Sequence, residues 1–227
     1  MGQFIDLKAK DGFTFPAYVA EPAGKPRGAV VVVPEIFGVN SHIRSVADGY
    51  AADGYLAVSP STFHRVKPGV ELGYSDEDMK AGFALKTAVE ALPAPGVLQD
   101  IEAAVAYASK AGKVGIVGYC WGGFLAWMSA AQVKGLSASA PYYGGGIPDV
   151  ADEQPKVPVM LHFGEKDSYI PMDGVAKVKA KHPGQQVFTY DADHGFNCDQ
   201  RGSYNEAAAK EARKRTLEFF KQHIAEQ

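Results

Sequence analysis

The chain has 227 residues, 46% of them hydrophobic, which is enough for one sizeable domain whose core needs neither a disulfide nor a metal. Its formal charge of −3 comes from 23 basic and 26 acidic side chains scattered along the length, which excludes the basic stripe of a nucleic-acid or anionic-lipid binder. Its two cysteines, Cys120 and Cys198, are too few for a secreted disulfide scaffold; no basic-then-apolar leader opens the chain, and its longest apolar run is far short of a membrane span. A cytoplasmic protein with a single domain over residues 1–227 is expected, without a membrane or nucleic-acid partner and with a monomer as the simplest state.

Residues 3–9 and 13–22 alternate apolar and polar side chains around Asp11-Gly12, a turn dipeptide, and read as an antiparallel edge hairpin. The runs at 29–34, 56–60, 114–118, 137–144, 157–164 and 185–191 are short, largely apolar and closed by Gly, Pro or Asp, as strands buried on both faces are. Helices are predicted between them, near 40–53, 76–91, 97–110, 122–132, 172–181 and 204–224. This alternation predicts an α/β fold with a mostly parallel central sheet and helices on both faces. Ligands of such sheets bind beyond the carboxyl ends of the strands.

The segment VGIVGYCWGGFLAWMSAA, residues 114–131, begins as a buried strand and finishes as an apolar helix, with Cys120 at the corner. A nucleophile elbow needs this context and small residues two positions to either side, which Gly118 and Gly122 supply, with Gly123 beyond. A helix N-terminus at Cys120 favours a thiolate. Most lone cysteines nevertheless pack as small apolar residues, so the corner alone does not make Cys120 a nucleophile.

A thiol nucleophile also needs a base, and the base an orienting carboxylate, which in this fold class follow in the order acid, then histidine. Asp167 and His194 both come just past predicted strands and keep that order. His162 falls inside a strand, His182 at a helix end and His223 in the last helix, while His42 and His64 precede the cysteine. Asp193 competes for the acid role, but adjacent residues seldom point at one ring, which favours Asp167. Glu35 follows the valine-rich strand at 29–34, in the loop expected to supply an oxyanion-hole amide. A solvated loop carboxylate is the ordinary reading of such a residue, because burying it unpaired is costly.

With these residues in place, the chain resembles the dienelactone hydrolase family of α/β-hydrolases. The resemblance is carried by VVVPEIFGVNSHIRSVADGYAADGYLAVSP, GYCWGG, GEKDSYIP and DHGFNCDQRGSYNEAAAKEARKRTLEFF, and so spans nearly the whole chain. It implies hydrolysis of a carboxylic ester or lactone through a thioester, by a triad of Cys120, Asp167 and His194. It also implies Glu35 as an extra carboxylate that helps to deprotonate the thiol once substrate displaces it. A thiolate facing a glutamate suffers like-charge repulsion, so their titrations would be coupled. The amides of Ile36 and Trp121 would hold the oxyanion, and neither a metal nor an organic cofactor is needed.

Phe37, Tyr119, Trp121, Tyr142 and Tyr143 follow strand ends and are candidates for an aromatic pocket, joined by His64 and, from the segment 71–86, Lys80 and Lys86. The resemblance also implies arginines for a substrate carboxylate, one of them shortly after the catalytic histidine. Here the fourth residue past His194 is Cys198 and the nearest arginine is Arg201, and lysine lacks the bidentate fork of arginine. The natural ester is therefore left open. A small-molecule-binding protein that keeps the fold without turnover is the alternative reading.

Overall fold

In a computed structural model, which describes residues 1–226, the Asp11-Gly12 turn joins β1 (Gln3–Lys8) to β2 (Thr14–Ala20) in antiparallel register, with Gln3 opposite Val19 and Lys8 opposite Thr14. β2 pairs antiparallel with β4 (Leu56–Pro60). From there β3 (Ala29–Val33), β5 (Val114–Tyr119), β6 (Leu136–Tyr142), β7 (Met160–Gly164) and β8 (Gln186–Tyr190) continue in parallel. The eight strands form one sheet in the order β1-β2-β4-β3-β5-β6-β7-β8, the mostly parallel α/β arrangement with an antiparallel N-terminal hairpin.

Every residue of β3, β4, β5 and β7 is buried, because both faces of the sheet are covered. Val30 and Val32 pack on one face with α1 (Ser41–Ala52) and α6 (Glu206–His223), through Ile43 and Phe220. Val31 and Val33 pack on the other with α3 (Leu98–Ala108), through Ile101 and Val105. Side-chain caps set the helix starts: Asn40 accepts from the Ile43 N–H, and Asn205 accepts from the Ala208 N–H, so α6 starts two residues later than predicted. α2 (Asp76–Glu90) starts at a capping box between Ser75 and Asp78. β7 starts three residues later than predicted, after Pro158, which cannot donate to a ladder. Among the described residues, no helix is long and apolar enough to cross a membrane.

The strand order places the chemistry. From β3 the chain moves to β4 on one side and then, after α2 and α3, to β5 on the other, so the loops leaving β3 and β5 open side by side at the carboxyl edge. That is the switch point at which open α/β sheets bind ligands. The β5 corner fits there only through glycine. A Cβ on Gly122 would lie 2.3 Å from the Val33 carbonyl oxygen and 2.5 Å from that of Pro34, and one on Gly118 would lie 1.8 Å from the Gly122 oxygen. Backbone atoms on both sides cannot yield as a flexible side chain would. Gly122→Ala should therefore destabilise by at least about 3 kcal/mol, the upper end of overpacking costs, in urea unfolding. Gly184→Ala, where a Cβ meets nothing within 4 Å, should stay within about 0.5 kcal/mol of the parent.

Candidate active site

Cys120 stands between β5 and α4 (Trp121–Gln132) with φ 59° and ψ −121°, a left-handed conformation rarely adopted by a residue with a side chain. It is held from both directions. Its N–H donates to the Tyr142 carbonyl at 3.1 Å, and its carbonyl accepts from the N–H groups of Gly123 and Phe124 at 2.9 and 3.2 Å. Strain of this kind costs about 1–3 kcal/mol and persists only where its surroundings enforce it. The result is a partly exposed sulfur at the first turn of a helix.

Asp167 lies in the loop after β7, and His194 in the loop after β8; both are buried. One carboxylate oxygen of Asp167 accepts from the Tyr169 N–H at 2.9 Å, and the other lies 2.7 Å from Nδ1 of His194. The aspartate is thus fixed by backbone and fixes the ring in turn, leaving Nε2 for the Cys120 sulfur. Asp193 instead accepts from the backbone N–H of His194 at 2.6 Å, which resolves the competition between the two aspartates. Burial disfavours the imidazolium, but the negative charge of the Cys120 sulfur, together with hydrogen bonds to Asp167 and the sulfur, outweighs it and pushes His194 up to about 10.

Glu35 is not the solvated loop carboxylate that its residue type suggests: it is fully buried and paired. The Tyr74 hydroxyl donates to one oxygen and Nη1 of Arg201 to the other, each at 2.9 Å. Asn40, which caps α1, also donates to the Tyr74 hydroxyl, at 3.0 Å. The sulfur therefore faces a neutralised ion pair rather than a bare carboxylate. Arg201 comes back to the site through successive turns in which Cys198 donates to Gly195 and Arg201 to Cys198. An arginine does reach the cavity, from seven residues past the histidine rather than four. Cys198 is buried behind it, and burial together with the charge of Glu35 pushes its thiol up to about 11.

Cys120, His194, Ile36, Phe37, Trp121 and Arg201 line one cavity of about 410 Å³. Four expected substrate contacts lie elsewhere. Tyr119 and Tyr142 are partners in register on neighbouring strands and turn to the same face, so both enter the core, where the Tyr142 hydroxyl meets Thr216 at 2.8 Å. His64 packs beside Phe13, and Lys80 is exposed outside the cavity. Tyr143 is buried against the back of the His194 ring, 5.2 Å between centroids. Lys86 does line the cavity, together with Met79 and Phe83 from the same helix and Tyr169 from the loop after β7, none of which except Lys86 is singled out by the sequence. Glu35, His42 and Cys198 bring three metal-capable atoms within 4.8 Å of one another, but Arg201 and Tyr74 already satisfy the glutamate, and a dication would face the guanidinium.

A model of the dienelactone hydrolase family matches residues 15–224. A carboxymethylenebutenolidase of Pseudomonas putida is 35% identical over 227 residues, covering 95% of this chain and 94% of its own. A Synechocystis protein provisionally named as a carboxymethylenebutenolidase is 36% identical over 228 residues and covers 91% of each chain. A crystal structure from Klebsiella pneumoniae, provisionally named as a dienelactone hydrolase, superposes with a TM-score of 0.81 at 32% identity, over 97% of this chain and 100% of the other. A dienelactone hydrolase-like phosphotriesterase from metagenomic libraries, 20% identical with a TM-score of 0.79 over 99% of each chain, shares the fold.

Removing one partner of a buried ion pair leaves the other charge without compensation. Arg201→Ala should lower stability by about 3–5 kcal/mol, and the double change Glu35→Leu with Arg201→Met should recover most of that loss in the same urea experiment. A histidine raised from 6.5 to about 10 contributes stability that is complete below about pH 6.5 and is lost as pH rises through 10. The difference in unfolding free energy between the protein and His194→Gln should be widest below pH 6.5 and close towards pH 10.

Proposed function

Because the chain belongs to the dienelactone hydrolase family, we propose that it hydrolyses a carboxylic ester or lactone with Cys120 as nucleophile, through a thioester. The observation that carries this reading is the chain of contacts from Asp167 through His194 to a cysteine held in a strained elbow. A binding module without turnover has no need of that strain.

With His194 holding the thiol proton on Nε2, the Cys120 thiolate attacks the carbonyl carbon, and the carbonyl electron pair moves onto oxygen. Trp121, the first residue of α4, has no intrahelical acceptor for its N–H, and with the Ile36 amide it serves the oxyanion. Collapse of the tetrahedral intermediate breaks the bond to the leaving oxygen, which takes the proton from His194 and departs as the alcohol, leaving the acyl group on sulfur. Water then attacks the thioester with His194 again as base, and the acid and the free thiol are released. Asp167 holds the tautomer throughout. Glu35 acts as a second proton acceptor only in a state where Arg201 has left it; in the resting arrangement His194 has that role.

With phenyl acetate as substrate, Cys120→Ala should lower kcat/KM by at least about 10³-fold, as loss of a nucleophile does elsewhere. Acid quenching of His194→Gln with the same ester should trap an acetyl group on the peptide carrying Cys120, visible by mass spectrometry. Equal rates in the protein and in Cys120→Ala would overturn the assignment.

A further inference from the structure

α2 is an unusual helix in this fold. Only Gly82 and Val89 of its residues are buried, yet Met79, Phe83, Lys86 and Glu90, spaced by four, three and four residues, all line the cavity. Gly82 explains how the helix reaches that position: a Cβ there would lie 2.3 Å from the Ile36 carbonyl oxygen, so α2 rests on the backbone of the loop that carries Glu35 and Ile36. This stripe, apolar at Met79 and Phe83 and charged at Lys86 and Glu90, thereby becomes one wall of the cavity. Across from it stands Tyr169, 6.5 Å from the Phe83 ring between centroids, and Phe124 and Val150 line the same cavity. Phe83 and Tyr169 are 41% and 58% exposed, large apolar surfaces left open at the mouth of the cavity.

The charges around this wall are already matched. Arg201 is held by Glu35, and Lys86 by Glu90 at 3.2 Å, while Asp149 adds a further negative charge to the lining. An anionic substrate would have to draw Arg201 away from a fully buried carboxylate and approach two acidic side chains. A neutral one disturbs neither pair. A dry cavity of about 150 Å³ already accommodates benzene, so 410 Å³ holds one ring together with an ester and a short chain.

We propose that the outer half of the cavity, between Phe83 and Tyr169, is an aryl subsite, and that the substrate is an uncharged ester or lactone bearing an aromatic or similarly flat apolar group. This rests on the hydrolase reading of Cys120, and the test separates the two. Affinity is read without turnover by NMR titration of the Cys120→Ala protein with methyl phenylacetate and with the monomethyl succinate anion. The phenyl ester should bind at least about 10-fold more tightly, and adding Phe83→Ala should weaken it about 5- to 10-fold, the scale of one aromatic contact, without changing the succinate ester. In the unaltered protein, kcat/KM followed by proton release should rank the two esters in the same order. Equal or tighter binding of the anion, or no effect of Phe83→Ala, would overturn the subsite. Selective binding of the phenyl ester without its turnover would support the subsite and count against the hydrolase reading.

Discussion

The placement of Cys120, Glu35 and Ile36 depends on the contact between the β5 corner and the end of β3. Gly122 lies against the carbonyl oxygens of Val33 and Pro34 at a separation that excludes even a methyl group. That contact brings the loop carrying Glu35 and Ile36 beside the first turn of α4, and it holds Cys120 in a conformation that a free chain would abandon. The burial of β3 and β5 on both faces supplies the rigidity, because a fully packed sheet has no room to relax around the corner.

Two hydrogen-bonded chains of charge meet at this corner. One runs from the Tyr169 amide through Asp167 to His194; the other runs from Asn40 through Tyr74 to Glu35 and Arg201. Both end next to the sulfur, and each is nearly neutral as a unit when His194 is protonated. This explains how a glutamate can be buried behind the cavity that Cys120 and Arg201 line: the guanidinium stands in for the solvent that the glutamate has lost.

The strands, the helices and the places of Cys120, Asp167 and His194 at strand ends were legible in the sequence because each rests on short-range pattern: apolar runs closed by turn residues, a glycine-flanked cysteine, and an acid and a histidine each just past a strand. What escaped depends on contacts between distant residues. The burial of Glu35 turns on a partner 166 residues away, and Arg201 reaches it only because a loop of consecutive turns folds back on itself. Tyr119 and Tyr142 follow the same strand-end logic as the true cavity residues, but their shared register directs both into the core. The cavity wall of α2 was obscured by an acid-rich first turn and by alanines and lysines that make the helix read as a surface element. Only the seat of Gly82 on Ile36 reveals which of its faces is turned inward.

Tyr169 belongs to both halves of the molecule's working surface. Its backbone N–H holds one oxygen of Asp167, while its ring stands 5.0 Å from His194 and forms the open rim of the cavity. Its side chain is the most exposed aromatic of the site, and its amide is anchored to one of the least exposed carboxylates. The donor to Asp167 belongs to the main chain, so the ring at the rim can be exchanged for another side chain without removing the amide that fixes the partner of the imidazole.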